Sequence, residues 1–124
     1  PEGIRAGAHT DFGTLTLLMT EDSPGGLQVM GMDNEWHDIQ PIPYAFIVNI
    51  GDLMERWTND AWRSTLHRVV NPPVNIGSES RRMSVAYFHT PNYETQVTSS
   101  KYPPITEGAH HKEKINRNNS VRNI

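Results

Sequence analysis

His9-Thr10-Asp11 sets an imidazole and a carboxylate at positions i and i+2. On extended backbone those two side chains share a face, close enough to grip a single ion. Short triplets also arise by accident. With six His and fourteen acidic residues in 124, a little under one His-x-Asp/Glu triplet is expected by chance, and the chain carries a second, His111-Lys112-Glu113. That one lies in a polar stretch reading as helix or tail, where i and i+2 point to different sides, so His111 and Glu113 are assigned to solvent. His9-Thr10-Asp11 instead passes through Phe12-Gly13 into a convincing strand. A third ligand must come from elsewhere. His67 is the candidate, because it lies among β-branched and apolar residues of a strand. A buried histidine that only hydrogen-bonds is the commoner case, and His37 and His89 also fall on strands, so residue type alone does not choose.

Two imidazoles and one carboxylate cover one face of an octahedral iron and leave three positions open, enough to hold a cosubstrate and O2 together. The chain has no cysteine, which removes disulfides, thiolate zinc sites and thiol catalysis at once. Fifteen residues after His67, Arg82-Met83-Ser84 puts a guanidinium and a hydroxyl on one strand face. Such a pair can grip a carboxylate through a two-pronged bond and a third from the hydroxyl. A surface arginine beside a solvated serine fits the spacing equally well.

The elements that must position these groups are mostly strands. Thr14 to Met19, Leu27 to Met30, Trp36 to Ile39, Tyr44 to Ile50, Thr65 to Val70 and Met83 to His89 are rich in strand formers and separated by turn residues. Leu27 to Ile39 reads as a hairpin, with Gly31 and Asn34 available for the turn. Tyr44 to Ile50 is nearly continuous in apolar residues, as in a strand covered on both faces. Asp52 and Glu55 form a capping-box pattern ahead of one helical turn, closed by Thr58-Asn59-Asp60. Lys101-Tyr102-Pro103-Pro104 is extended and Glu107 to Ile115 forms a short polar helix. Residues 1–115 make one domain, and 116–124 a mobile polar tail. The fold class is all-β, a sandwich or jelly roll with short helical segments.

Composition agrees with many short elements joined by turns, since 35% of residues are hydrophobic and Gly and Pro number nine each. The net charge is -3 with no basic stripe, so nucleic acid is not an expected partner. The longest apolar run is too short to cross a bilayer, so no membrane association is expected, and absence of cysteine suits a reducing cytoplasm. Trp36, Trp57 and Trp62 either line a substrate space or, more commonly for aromatics, serve as core. Beginning on Pro1 in strand-like sequence, the chain reads as a fragment of a longer protein.

In order along the chain stand Ala8-His9-Thr10-Asp11-Phe12-Gly13-Thr14-Leu15-Thr16-Leu17-Leu18, Gly25-Gly26-Leu27-Gln28-Val29, Val48-Asn49-Ile50-Gly51-Asp52, Ser64-Thr65-Leu66-His67-Arg68-Val69 and Arg81-Arg82-Met83-Ser84. With these the chain resembles the isopenicillin N synthase-like family of 2-oxoglutarate and Fe(II)-dependent dioxygenases, from about Arg5 to Ile115. The resemblance implies a double-stranded β-helix, incomplete at its N-terminus because the family's early strand and helices precede Pro1. Such a fragment would expose strand edges and half a pocket, with less than full activity.

Carried over by position, the resemblance implies iron ligands at His9, Asp11 and His67 and a cosubstrate motif at Arg82 and Ser84. It implies Fe(II), 2-oxoglutarate and O2 as cofactors. Their reaction would hydroxylate, desaturate or cyclise a small organic molecule and release succinate and CO2. Thr10, Asn49 and Thr65 are possible supports for the ligands. Two other readings remain open, a same-fold Fe(II) oxidase that does not use 2-oxoglutarate and a noncatalytic jelly-roll binding module.

Overall fold

Residues 3–21, 25–71 and 83–122 are described by the computed structural model. Among them the order is β1 (Ile4–His9), β2 (Leu15–Thr20), β3 (Leu27–Met30), β4 (Trp36–Asp38), β5 (Ile47–Ile50), α1 (Asp52–Trp57), β6 (His67–Val70), β7 (Ser84–His89), β8 (Gln96–Val97), β9 (Ile105–Thr106) and α2 (Glu107–Arg122). Strands dominate, as the alternation and turn residues predict. Contacts group the chain into two compact units, one of Pro1–Thr10, Leu17–Asn49 and Thr65–Tyr87, the other of Asp11–Thr16, Ile50–Ser64 and Phe88–Ile124.

The first unit is organised by a four-stranded sheet in the order β1-β6-β3-β4. β3 and β4 form the expected hairpin, pairing Gln28 with Asp38, Val29 with His37 and Met30 with Trp36. Its turn closes through Gly31 N–H to Glu35 O at 2.9 Å and Asn34 N–H to Gly31 O at 3.1 Å. Asn34 takes φ 62°, a left-handed conformation that asparagine tolerates better than most residues. Along one row, Arg68 Nε donates to Gln28 Oε1 at 2.7 Å and Gln28 Nε2 to Asp38 Oδ1 at 2.9 Å. The Arg68 guanidinium also lies 4.1 Å from the Trp36 ring centroid, so this tryptophan supports a cation.

A second sheet has the order β5-β2-β7. Only Ile47–Ile50 of the Tyr44 to Ile50 run is strand, because Tyr44 turns out at φ 63° and Ala45 N–H bonds back to Ile42 O at 3.1 Å. The strand is not covered on both faces, since Val48 and Phe46 are exposed. β7 is exposed along its whole length.

The second unit has little apolar core and a polar interior. Leu53 and Val97 are its fully buried hydrophobic residues, whereas Asp11, Thr14, Thr16, Asp52, Glu107 and His110 are buried as well. Buried polar groups persist where they find partners. The capping box is not made as expected: Gly51 is the N-cap of α1 with no side-chain capping bond, and Asp52 lies in the first turn. There its carboxylate meets Lys114 Nζ at 2.6 Å. β8 pairs with β9, two strands too short to leave a periodic signal.

α2 also departs from expectation. It continues to Arg122, past Ile115, so residues 116–122 are helical where a tail was expected. Thr106 Oγ1 accepts the Ala109 N–H at 3.2 Å, and the Glu107 and Gly108 N–H groups reach Thr95 O and Tyr93 O, each at 3.0 Å. These bonds satisfy donors that a helix start leaves open. The buried side of the helix carries Glu107, Gly108 and His110. His111 keeps its side chain 45% exposed while standing edge-on to Phe12 at 5.9 Å between centroids, and Glu113 is exposed as expected.

His110 gives the unit a definite response to acid. Burial lowers its imidazole from the usual 6.5 to about 4; Lys114 and Arg56 push the same way, and Asp52 and Glu113 oppose them. Between those values the unfolded chain takes up a proton that the folded chain refuses, so stability rises with pH through the window and is complete above it. The loss on acidification is at most about 3 kcal/mol. Urea unfolding at about pH 7.5 and about pH 5 should show a lower midpoint in acid. His110→Gln should flatten that difference, and an unchanged difference would contradict the assignment.

Candidate metal centre

β1 ends on His9 and β6 begins on His67, and the two residues are register partners. Their rings stand 4.4 Å apart, tilted by 57°. Each imidazole is tied at Nδ1 to a carbonyl two residues earlier, His9 to Gly7 O at 2.7 Å and His67 to Thr65 O at 3.0 Å. A carbonyl can only accept, so Nδ1 carries a proton in both rings. In the neutral form of such a ring Nε2 holds the lone pair, the tautomer that binds a metal through Nε2.

Asp11 lies two residues past the end of β1 and is buried. Thr16 Oγ1, on β2, donates to its Oδ2 at 2.5 Å. The backbone of the same turn is fixed by α1: Asp52 N–H donates to Asp11 O at 2.8 Å, Leu53 N–H to Phe12 O at 3.2 Å and Gly13 O at 3.0 Å, and Gly51 N–H to Thr14 O at 2.8 Å. Gly51 is required there because a Cβ would run into the Gly13 carbonyl oxygen. One ligand atom each from His9, Asp11 and His67 lies within 4.8 Å of the other two.

The remaining candidates fall elsewhere or outside the described residues. His37 is held by Asp33 through Nε2 at 2.9 Å, and His89 Nδ1 meets Thr14 Oγ1 at 2.6 Å. Ser84 opens β7 and is exposed; Arg82 lies outside the described residues. Thr65, one of the supports named from sequence, meets His67 Nδ1 through its backbone carbonyl rather than its hydroxyl. Thr16 was not anticipated; its signal was a Thr on the alternating strand that follows the triplet. Trp57 and Trp62 are partly exposed in the second unit.

As a prediction, Thr16→Val keeps the side-chain shape and removes the donor to Asp11. Metal affinity should fall by roughly 10–100-fold, the usual loss for an outer hydrogen bond to a ligand, with little change in the melting midpoint. Equal affinity in a competition titration would show that this bond does not hold the carboxylate.

The donor set fits a divalent iron. It offers two imidazoles and one carboxylate, and the chain has no cysteine to add a thiolate. A divalent ion held by such a set would keep other coordination positions open. The chain belongs to the 2OG-Fe(II) oxygenase superfamily, whose family model matches residues 1–91. It is 43% identical over 94 residues to homoarginine-6-hydroxylase 2-ODD-C23 of Glycine max, covering 76% of this chain and 27% of that protein. It is 39% identical over 97 residues to 1-aminocyclopropane-1-carboxylate oxidase 1 of Oryza sativa subsp. japonica, covering 78% of this chain and 28% of that one. A full-length Neurospora crassa protein, solved in complex with alpha-KG and thymine, superposes with a TM-score of 0.83 at 36% identity, over 93% of this chain and 38% of that chain. The chain thus spans roughly a third of the length of the relatives it matches, and its strands belong to the jelly roll of that family. No described helix is long and apolar enough to cross a membrane.

Proposed function

We propose that His9, Asp11 and His67 hold Fe(II), that Arg82 and Ser84 bind the far carboxylate of 2-oxoglutarate, and that the protein oxidises a small organic molecule. The single observation that supports this most is the grouping of two imidazoles, both tied at Nδ1, with one carboxylate held by Thr16. The bound metal would supply O2 activation coupled to oxidation of the keto acid. In the balanced reaction a substrate C–H, O2 and 2-oxoglutarate give a C–OH, succinate and CO2. This chain's part is to fix the metal's three donors, orient the keto acid through Arg82 and Ser84, and limit water at the centre. The cysteine-free composition suits a reducing, cytoplasmic setting.

Anaerobic addition of Fe(II) and then 2-oxoglutarate should produce a visible charge-transfer band, and succinate should form on exposure to oxygen with a substrate. Iron binding that is indifferent to 2-oxoglutarate would overturn the keto-acid assignment. It would favour a second reading, an Fe(II) oxidase of the same family, which the similarity to 1-aminocyclopropane-1-carboxylate oxidase 1 supports.

A further inference from the structure

The metal turn and the C-terminal helix are joined by a path of contacts that the metal chemistry does not itself require. The Asp52 side chain is 9% exposed and meets Lys114 Nζ, itself 26% exposed, at 2.6 Å. A buried carboxylate needs such a partner, because an unpaired charge there is strongly unfavourable. The same residue holds Asp11 from its backbone, N–H to O at 2.8 Å, and its neighbour Leu53 holds Phe12 and Gly13. The orientation of the first turn of α1 therefore sets the carbonyls of residues 11 to 13. Lys114, on α2, sets the side chain at the head of that turn.

Two further contacts bring α2 to the same place. The His111 ring meets Phe12, the residue after Asp11. His110 is buried on that face, with Asp52 and Arg56 of α1 and Lys114 and Glu113 of its own helix as its charged surroundings. A helix whose only task was to cover apolar surface would present leucines there; this one presents a lysine and two histidines.

Resting on the assignment of Asp11 as a metal ligand, we propose that Lys114 is a positioning residue for the metal centre, acting through its ion pair with Asp52 to hold the Asp11 turn in its ligating conformation. Lys114 touches neither metal nor substrate in this role. Its removal should therefore loosen metal binding without abolishing it, unlike loss of a ligand.

The test uses the full chain and Co(II), a redox-stable probe for the Fe(II) position whose visible bands report ligand geometry. Lys114→Met should weaken Co(II) binding by roughly tenfold, the lower end of what outer partners of a ligand cost, and shift the bands. Lys114→Arg, which keeps the charge, should recover most of the affinity. Should Lys114→Met not fold, Asp52→Asn keeps the backbone donor and the shape and should weaken binding in the same direction. Lys114→Met or Asp52→Asn with parental bands and affinity within about twofold would overturn the proposal, even with a lowered melting midpoint. So would equal losses in Lys114→Met and Lys114→Arg. A parent chain that binds Co(II) equally with Asp11→Ala in place would overturn the metal assignment itself, a result distinct from the others.

Discussion

Replacing His67 by alanine is expected to remove iron binding and, with it, all turnover. The affinity loss should exceed the roughly 10–100-fold that follows loss of an outer partner, because one of three donors disappears and the other two cannot close a face of the ion. The fold should survive. His67 is half-buried at the start of β6, where its backbone pairs with His9 and Val29, and those bonds do not depend on the ring. Anaerobic equilibrium dialysis with Fe(II) measures the binding, and circular dichroism the fold. His37→Ala is the natural control, since His37 also lies on a strand of this sheet but is engaged by Asp33. It should retain metal. Stoichiometric iron in His67→Ala would contradict the assignment.

The second large effect concerns the cosubstrate. Arg82→Ala should raise the 2-oxoglutarate concentration for half-maximal turnover about 100-fold, as expected when a charge-assisted, two-pronged carboxylate contact worth about 3 kcal/mol is lost. Metal binding should be unchanged, because Arg82 offers the ion nothing. Arg82→Lys should fall between, keeping charge without the planar fork. The assignment rests on the motif and on Ser84 opening a strand, with Arg82 two residues before it along the chain. Steady-state kinetics at varied 2-oxoglutarate decide it, and an unchanged requirement would remove Arg82 from the cosubstrate site.

How far the sequence could be read depended on the range of the forces involved. The β3–β4 hairpin was visible because alternation and turn residues are local properties. The apolar run overstates the length of β5, since it does not announce that Tyr44 takes a left-handed turn. β8 and β9, of two residues each, are fixed by pairing rather than propensity. The sequence pattern understates α2, because its buried face is His and Glu instead of an apolar stripe. The triplet at His9 is legible by type and spacing, whereas residue type does not separate the distant His67 from His37 and His89, and the family resemblance singles it out. Thr16 behind Asp11, and Lys114 across from Asp52, are not legible, because contacts separated by many residues leave no mark in a local pattern.

The most direct test of the account is a crystal structure of the Fe(II)-loaded protein, prepared without oxygen, with anomalous scattering collected at the iron edge. One iron peak is predicted, bonded to Nε2 of His9, Nε2 of His67 and a carboxylate oxygen of Asp11 on one face, with the opposite positions held by water or 2-oxoglutarate. A peak at other side chains, or these three residues turned toward separate centres, would contradict it.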